Sequence, residues 1–531
     1  MHKTRRAARR MTAVLALLLV ASAAAAQDTD TGKREDRAIE DITALDVDTT
    51  PRRAIALSMA DAIRLTLENN LDIKIRGIDP QTSAADIQKA ESRFDWTFET
   101  SWSKTRSKTP SSSALSGAAA VMSDSDRISL GLKKTLVTGG TVEPTVTWRR
   151  DLTNSTFATI NPSYTTDAYV TITQPLLRNA GCEVNKSEIY TARNNTEISK
   201  YSFKTNVINT LTQMQQTYWD LVFAIEDLSV KKKSLRLTKD TLEQTRAQVE
   251  AGILAPIEVT RVRADVASKE EAILNAQRTV EDREDQLRRF VNKRSSNLRE
   301  NIGVIPLERG SYSALELDVM REIDEGLRYR PDYLASKISL RNRDIDLVVA
   351  KNAKLPVVDI ATTLSMNGLG GNTGDSFDLL RTNDFHDWSA SVTVEIPLGN
   401  RSARADYLKA RLAKRQAVYE LDNLQQEVII DVKREARQVM TNLKRIRSTR
   451  LARELAEERL KAEEEKFKVG EAVILDVLEA QTLLAEAESN ERRAIVDYNK
   501  SRIALEAAKG TLLERNRVLL TEDLKPSPMT D

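Results

Sequence analysis

Two carboxylates near the C-terminal end of the chain, Asp476 and Glu479, have a spacing that would let them act together. They stand three residues apart in a stretch of helical character, and an i,i+3 pair lies on one face of a helix. Adjacent carboxylates create a negative potential that attracts cations. The residues alone leave open the ordinary alternative, in which both are among the many solvated acids of a charged helix.

Side chains suited to catalysis or metal binding are scarce. The only histidines are His2 and His386, and the only cysteine is Cys182. A single cysteine excludes an intramolecular disulfide, and the sequence has neither a glycine-rich phosphate-binding loop nor a metal-ligand spacing. We therefore predict that the protein is not an enzyme and holds no metal or cofactor.

Composition restricts the class of protein. The 531 residues carry 80 basic and 78 acidic side chains, so the formal net charge is only +2. Nucleic-acid binders normally carry a basic excess, so we expect no nucleic-acid partner. Charged residues make up 30% of the chain and aromatic residues 5%. Since Ala, Leu, Glu, Lys and Arg dominate two long segments, the composition is typical of long or coiled-coil helices.

These two segments share one design and indicate an internal tandem repeat. Each opens on an apolar-proline pair and then runs without proline or glycine, from about 186 to 250 and from 402 to 468. At about 1.5 Å per residue, each run predicts a helix of roughly 100 Å. A turn follows at Gly252 and at Gly470. In each repeat a second helix of apolar periodicity then returns along the first.

Before each long hairpin, the hydrophobic period changes from that of a helix to that of a strand. The first repeat has four strand-like stretches, and the second has two, separated by a glycine-rich loop at 367–372. Each stretch has about 9–11 residues, the length of a tilted strand that crosses a bilayer. The alternation is weak, so a soluble sheet remains an alternative at this point. The predicted strands are 96–103, 127–136, 141–150, 168–176, 357–365 and 388–396.

The N-terminus has the pattern of a cleaved export signal: a basic segment, an apolar run and small residues before Gln27. The apolar run is shorter than the ~20 residues of a membrane-spanning helix. The predicted organisation is a signal peptide at 1–26, a polar lead-in at 27–55, a first repeat at 56–300, a second repeat at 301–515 and a tail at 516–531. Within the repeats, strands fall at about 95–176 and 357–397, and helical hairpins at about 186–291 and 402–510.

The order and duplication of these motifs resemble the TolC-like outer-membrane efflux protein family. The resemblance rests on the helix openings Leu-Ser-Met-Ala-Asp-Ala and Arg-Pro-Asp-Tyr-Leu, on Gln174-Pro175-Leu176-Leu177 and Ile396-Pro397-Leu398, and on the paired Gly-x-x-x-x-x-[Glu/Asp]-Val turns. It covers nearly all of the chain after the signal. It implies an α+β membrane protein with an internal tandem repeat. Three protomers would share one outer-membrane β-barrel, which would continue into a long α-helical barrel in the periplasm.

For function, the resemblance implies a passive exit duct of a tripartite efflux or type I secretion system. Its partners would be two further copies of the chain, a periplasmic adaptor (membrane fusion) protein, an inner-membrane pump of the RND or ABC type, and outer-membrane lipid. The implied aperture residues are Asp476 and Glu479, and Glu258 matches Asp476 in the first repeat. Gly252 and Gly470 would shape the hairpin tips and contact the adaptor.

The sequence departs from the family pattern in two places. The first repeat has four strand-like stretches where the pattern has two, so the extra hairpin at 133–150 would either widen the barrel or extend above the membrane. Phe467 and Ala472 stand where members carry an aromatic hydroxyl and an arginine that hold the closed tip. Salt bridges of Glu258, Arg261 or Glu471 are the candidate substitutes for them. The alternative class is a soluble periplasmic coiled-coil structural protein, which explains the helices but not the strands.

Overall fold

The computed structural model describes residues 54–110, 120–291, 303–313 and 316–518. The predicted signal peptide, nearly all of the predicted lead-in and most of the predicted tail lie outside these residues. The chain divides into a small unit, Met1–Ala56 with Arg299–Ile305, and a large unit, Leu57–Leu298 with Pro306–Asp531. In the small unit, most of β1 (Ala54–Leu57) pairs with β6 (Gly303–Pro306) in a two-stranded sheet.

The large unit repeats one order of elements, in which short helices lead to strands and then to a hairpin of long helices. The first series is α1 (Met59–Asn69), α2 (Leu71–Arg76), α3 (Asp79–Glu91), β2 (Thr97–Pro110), β3 (Ala120–Thr135), β4 (Thr141–Thr153), β5 (Ser163–Pro175), α4 (Cys182–Asn185), α5 (Ser187–Glu250) and α6 (Pro256–Val291). The second series is α7 (Val319–Tyr329), α8 (Pro331–Asn352), β7 (Val357–Gly370), α9 (Thr373–Thr382), β8 (His386–Glu395), α10 (Arg401–Lys468), α11 (Ile474–Lys509) and α12 (Leu512–Arg515). This parallel order supports the predicted division into two repeats, which stays a prediction.

Local sequence fixes where the short leading helices begin. Ser58 caps α1, because its hydroxyl accepts a hydrogen bond from the backbone N–H of Asp61 at 3.1 Å. Asn70 caps α2 in the same way. Pro331 occupies the first turn of α8, where its fixed φ suits a helix and its missing N–H is not needed.

The long helices lie where the uninterrupted segments predict them. α5 has 64 residues and α10 has 68, which correspond to about 96 and 102 Å. α6 and α11, with 36 residues each, pack back along them. The apolar residues at the seam of α6 are buried: Val262, Val266, Ile273 and Ala276. None of the described helices combines the length and apolar character that a membrane crossing requires.

Threonines fill part of the α5 seam beside apolar side chains. Thr238 and Thr245 are fully buried. Their hydroxyls donate to backbone carbonyls four residues earlier, at 3.1 Å to Ser234 and 2.8 Å to Thr241. A buried hydroxyl that is bonded within its own helix avoids the cost of an unpaired polar group. Small polar residues can therefore line a narrow seam, a role that the apolar period does not reveal.

Six strands form one antiparallel sheet in the order β2-β3-β4-β5-β7-β8. The two repeats meet where β5 pairs with β7, from Tyr164↔Gly370 to Pro175↔Asp359. The shortest of these strands has 10 residues and the longest has 16, so several exceed the expected ~9–11. The extra hairpin of the first repeat belongs to this sheet, because β3 pairs with β2 and β4 pairs with β5.

The glycine-rich segment 367–372 is not the loop that we predicted. β7 continues through Gly370, and α9, which the sequence analysis missed, follows it. A Cβ on Gly368 would lie 2.0 Å from the backbone oxygen of Ser376 in α9. The glycine is therefore required because a helix lies directly against the strand, and not because the chain turns. The hydroxyls of Thr166 and Ser376, buried and 2.9 Å apart, attach the same helix to β5.

The two faces of the sheet differ sharply in polarity. Successive side chains of a strand point to opposite faces. One face, which we call the apolar face, carries large exposed side chains from neighbouring strands: Phe98, Leu130, Val146, Val170 and Leu364. A soluble sheet would bury such a face against a second layer. The exposed apolar face therefore favours a sheet that faces lipid.

A buried ion-pair network joins the end of α11 to α7. Lys509, which is 6% exposed, contacts Glu322 and lies 3.1 Å from Glu325 and 3.3 Å from Glu506. Burial disfavours the charged form of Lys509, but these carboxylates outweigh it and raise the pKa of the ammonium. Burial also disfavours charge on Glu506, but a hydrogen bond from Thr511 at 2.6 Å and the nearby Lys509 lower its pKa. The buried charges of this network depend on one another.

We expect Lys509→Met to destabilise the folded protein by about 3 kcal/mol, because it leaves buried carboxylates without their cation. Urea denaturation followed by circular dichroism of the helices measures the change. Lys409→Met is the matched control, since Lys409 and Asp406 form a surface ion pair at 3.7 Å and such pairs contribute little. Equal effects of the two substitutions would contradict this assignment.

Candidate functional site

The face of the sheet opposite the apolar face is lined by polar side chains. Lys133 of β3 and Glu143 of β4 form an ion pair at 2.7 Å. The hydroxyls of Thr171 and Thr363 lie 3.0 Å apart across the junction of the two repeats. We call this surface the polar face. Along the described strands, it presents hydroxyl and charged groups and not a continuous apolar surface on which a solute would be retained.

The two long hairpins end in turns of the same geometry. Gly252 has a φ of 74° and Gly470 a φ of 79°. In each turn, the N–H of the residue after the glycine donates to the carbonyl five positions earlier, at 2.9 Å. This is the Schellman motif, which closes a helix with a left-handed residue. Among the described residues, apart from the chain neighbours and the adjoining helix backbone, no atom lies within 4 Å of the place for a Cβ on either glycine, so the backbone angle alone requires glycine there.

The acids Asp476 and Glu479 lie at the start of the returning helix α11. Asp476 is half-buried, and its Oδ2 accepts a hydrogen bond from the backbone N–H of Val473 at 3.3 Å. Glu479 is exposed and lies 3.6 Å from the guanidinium of Arg459 on α10. Asp476 thus helps to cap the helix, while Glu479 has a loose ion pair with the opposite arm of its hairpin.

Glu258 occupies the matching place at the start of α6. Arg261 donates to both of its carboxylate oxygens, at 3.0 and 3.2 Å. The Glu258 side chain is only 18% exposed. Because this pair joins two residues of one helix, it does not tie one hairpin to another. The first tip therefore carries one acid that an arginine neutralises, whereas the second tip carries a pair of acids.

An apolar cluster connects the two hairpins close to their tips. Val262 of α6 packs with Ile474 and Leu478 of α11, and Leu242 and Phe467 pack against them. The acids of both repeats therefore lie at the same end of the helices. The ring of Phe467, which has no hydroxyl, is part of this apolar packing.

Two residues near the tips were missed in the sequence analysis. Gln481 is buried and joins α11 to α5, since its amide donates to Thr241 at 3.0 Å and its oxygen accepts from Thr238 at 3.3 Å. Arg459, the partner of Glu479, could have been found from the sequence, because the two stand at similar separations before and after the turn. Gln481 could not, because its partners belong to the other repeat.

The residues that could support other chemistry are exposed and far apart in the chain. His386 begins β8, and its Nδ1 lies 3.0 Å from the backbone oxygen of Asn383. Cys182 is an exposed free thiol at the start of α4. Within the described parts of the chain, no group of histidine, cysteine, aspartate and glutamate side chains could hold a metal ion.

In comparisons with known sequences, a single family model matches most of the chain. A family model described as "Outer membrane efflux protein" matches residues 62–293 and 323–511. Outer membrane protein TolC of Vibrio cholerae is 23% identical over 321 residues, which cover 59% of this chain and 70% of that protein. Nodulation protein T of Rhizobium leguminosarum bv. trifolii is 23% identical over 328 residues, which cover 59% of this chain and 64% of that protein.

Solved structures of similar fold are outer-membrane channels. The CmeC channel of Campylobacter jejuni superposes with a TM-score of 0.62 at 17% identity, covering 86% of both chains. The channel OprN gives a TM-score of 0.65 at 15% identity, covering 85% of this chain and 90% of that one. The open state of MtrE of Neisseria gonorrhoeae gives 0.60 at 15% identity, covering 86% and 89%. At these identities the likeness shows the fold alone, and it confirms the predicted fold class.

We expect Gly252→Ala and Gly470→Ala to loosen the hairpin tips, because an L residue in the left-handed region costs about 1–2 kcal/mol. Hydrogen exchange of the tip amides, followed by mass spectrometry, should accelerate by roughly 5- to 30-fold. Gly399→Ala is the control, since its Cβ would meet only the Arg401 side chain at an ordinary 3.9 Å. Unchanged exchange at both tips would contradict the assigned turn geometry.

Proposed function

The chain belongs to the outer membrane efflux protein family, and from this we propose that it is the exit duct of a tripartite efflux or type I secretion system. As a member of a family of efflux channels, the protein lies in the outer membrane, extends into the periplasm and is not an enzyme. The finer proposal is that it passively conducts substrates from an inner-membrane pump across the periplasm and outer membrane. The family match decides against a soluble periplasmic coiled-coil protein.

The observation that carries this proposal is that a sheet with one polar face is joined to two long helices. The sheet has an apolar face suited to lipid and a polar face suited to water. β5 leads through the short helix α4 into a helix of 64 residues, and β8 leads into one of 68 residues. A channel that crosses both a membrane and an aqueous compartment needs this combination, because only closed sheets and helices satisfy the backbone inside a bilayer.

Assembly as a homotrimer supplies the strands that one chain lacks. β2 and β8 are the two edges of the sheet, and each is exposed along its entire length. Unpaired edges cannot remain in a bilayer, and six strands are fewer than the eight of the smallest outer-membrane barrels. We propose that β8 of each copy pairs with β2 of the next.

The hairpin tips are the proposed contact with a periplasmic adaptor, which would join the duct to a pump of the RND or ABC type. Around Gly252 and Gly470, large apolar side chains stay exposed: Ile253, Ile257, Val469, Val473 and Leu475. Exposed apolar patches on helical tips mark surfaces for other proteins. The residues come from both repeats, so an adaptor would meet a similar surface at each hairpin.

Asp476 and Glu479 are the proposed aperture acids. Three copies would bring together two carboxylates each, at the end of the helices where the tunnel narrows. Glu258 would add little net negative potential, because Arg261 is bound to it. The proposed aperture is therefore negative mainly through the second repeat, and it would favour cations.

Cells that lack this chain should retain a dye exported by the cognate pump, and the full chain should restore export, because the pump needs an outlet through the outer membrane. Dye efflux measured by fluorescence tests this expectation. The purified protein should have the mass of a trimer in detergent. A stable monomer that restores export would argue against the proposed duct.

Replacing Asp476 by Asn and Glu479 by Gln should strongly reduce the cation preference of single channels, because six charges leave a narrow and poorly screened site. The fold should persist, since the amides have similar shapes and Asn can still accept the capping hydrogen bond. Glu463→Gln with Glu464→Gln alters two acids at a similar distance from the turn but on the other arm of the hairpin, where Glu463 is paired with Lys466 at 2.9 Å, and should change ion selectivity little. Equal effects of the two double substitutions on ion selectivity would show that the aperture lies elsewhere.

A further inference from the structure

We infer that three chains close an eighteen-stranded barrel, six strands from each, whose wide, water-filled lumen admits bulky solutes. The β3–β4 hairpin would supply a third of its wall. The inference rests on the proposed trimeric duct and extends it to the size of solute that the outer-membrane section admits.

The hairpin is paired along most of its length on both sides. β3 pairs with β2 from Thr97↔Lys133 to Pro110↔Ala120. β4 pairs with β5 from Thr141↔Thr173 to Asp151↔Ser163. β2 and β5 are therefore separated by two whole strands, so the hairpin cannot leave the sheet without breaking both ladders. It is a full-height part of the wall and not an extension above it.

The hairpin has the same division into faces as the rest of the sheet. On the apolar face, Leu130 of β3 stands opposite Val146 of β4. On the polar face, Ser129 stands opposite Thr147, and their hydroxyls lie 3.4 Å apart. A strand pair with this alternation fits between lipid and water. The hairpin thus continues both surfaces through Ile128 and Leu130, and the ion pair of Asp126 with Arg150 at 3.3 Å ends the apolar band on the same face.

The turn between β3 and β4 is fixed to the segment that leads into the long helices. The backbone oxygen of Thr138 accepts from the N–H of Gly181 at 3.1 Å, and the Thr138 hydroxyl donates to Gln174 at 2.8 Å. Gly139 has a φ of 96°, and a Cβ there would lie 2.2 Å from the backbone oxygen of Asn179. The turn therefore sits tightly in its place at the helical end of the sheet.

The two edge strands, β2 and β8, run in opposite directions, so the β8 of one copy can pair with the β2 of another in an antiparallel ladder. β2 follows the leading helices and runs away from the helical end, while β8 runs back towards α10. β8 of one copy and β2 of the next would be antiparallel, like every other pair in the sheet. The apolar face also continues across this junction, from Trp388 and Val392 to Phe98 and Trp102, all of them exposed.

The strand number sets the width of the pore. Barrel diameter grows roughly linearly with strand number; about 8 strands enclose only side chains, and 16–18 leave an aqueous channel. Without the hairpin, three chains would supply only twelve strands. Eighteen strands place this section among the wide channels, so any size limit on the substrate would lie at the helical tips.

Labelling of a lumen-facing cysteine measures the width directly. Ser391→Cys on β8 lies on the polar face near the helical end, and Cys182→Ser removes the native thiol. Maleimide-linked polyethylene glycols of increasing size are added outside intact cells. Large polymers should label this protein. They should fail to label a variant that lacks 111–153, in which Pro110 is joined to Asn154, because its barrel would have only twelve strands.

Two controls separate pore width from other effects of the deletion. A variant that only shortens the connection 111–119 keeps all strands and should be labelled by the same polymers as the parent. Val392→Cys, on the apolar face, should resist labelling in both backgrounds. An identical size limit with and without 111–153 would overturn the inference.

Single-particle electron microscopy of the intact protein tests the same inference without the deletion. Eighteen strands in cross-section would support it. Twelve strands in a trimer would overturn it and leave the proposed exit duct intact. A monomer with no lumen would instead overturn the proposed duct itself.

Discussion

The structure depends above all on one requirement: backbone N–H and C=O groups inside a bilayer must be paired. Within one chain the four inner strands of the sheet meet this requirement, whereas β2 and β8 each leave one side unpaired. No side chain can correct this deficit, because the missing partners are backbone groups. The requirement explains why the strands are long and regular, and why the fold is complete only when copies of the chain come together.

Asparagine side chains stabilise the connections between the strands and the helices, where the backbone changes direction. Asn352, at the end of α8, accepts from the N–H of Asn179 at 2.7 Å and donates to the backbone oxygen of Leu177 at 3.1 Å. Asn400, with a φ of 42°, donates to the backbone oxygen of Lys354 at 2.8 Å. Asparagine tolerates the left-handed region and can bond to nearby backbone. These contacts connect the lipid-facing sheet to the water-exposed helices.

The two hairpin tips agree in backbone geometry more closely than in charge. The two tips share one turn, because only a left-handed residue closes a helix in this way. The side chains beyond the turn are free to differ: Arg261 neutralises Glu258, whereas Glu479 stands beside Asp476 without a cation in its own helix turn. Electrostatic differences between the repeats can thus arise without any change in fold.

The sequence by itself determined the features that depend on neighbours in the chain. Helix lengths, the glycine turns and the seam of α6 follow from periodicity and from the absence of proline and glycine, which act over a few residues. Only the tertiary structure decided the strand pairing, since Thr171 and Thr363 lie 192 positions apart. It also decided the role of Gly368, which lies in a strand and leaves room for α9 because it has no side chain. The burial of Lys509 among the acids of α7 was likewise decided only by the tertiary structure. Contacts between distant segments have no local pattern, because they form only where the packed elements meet.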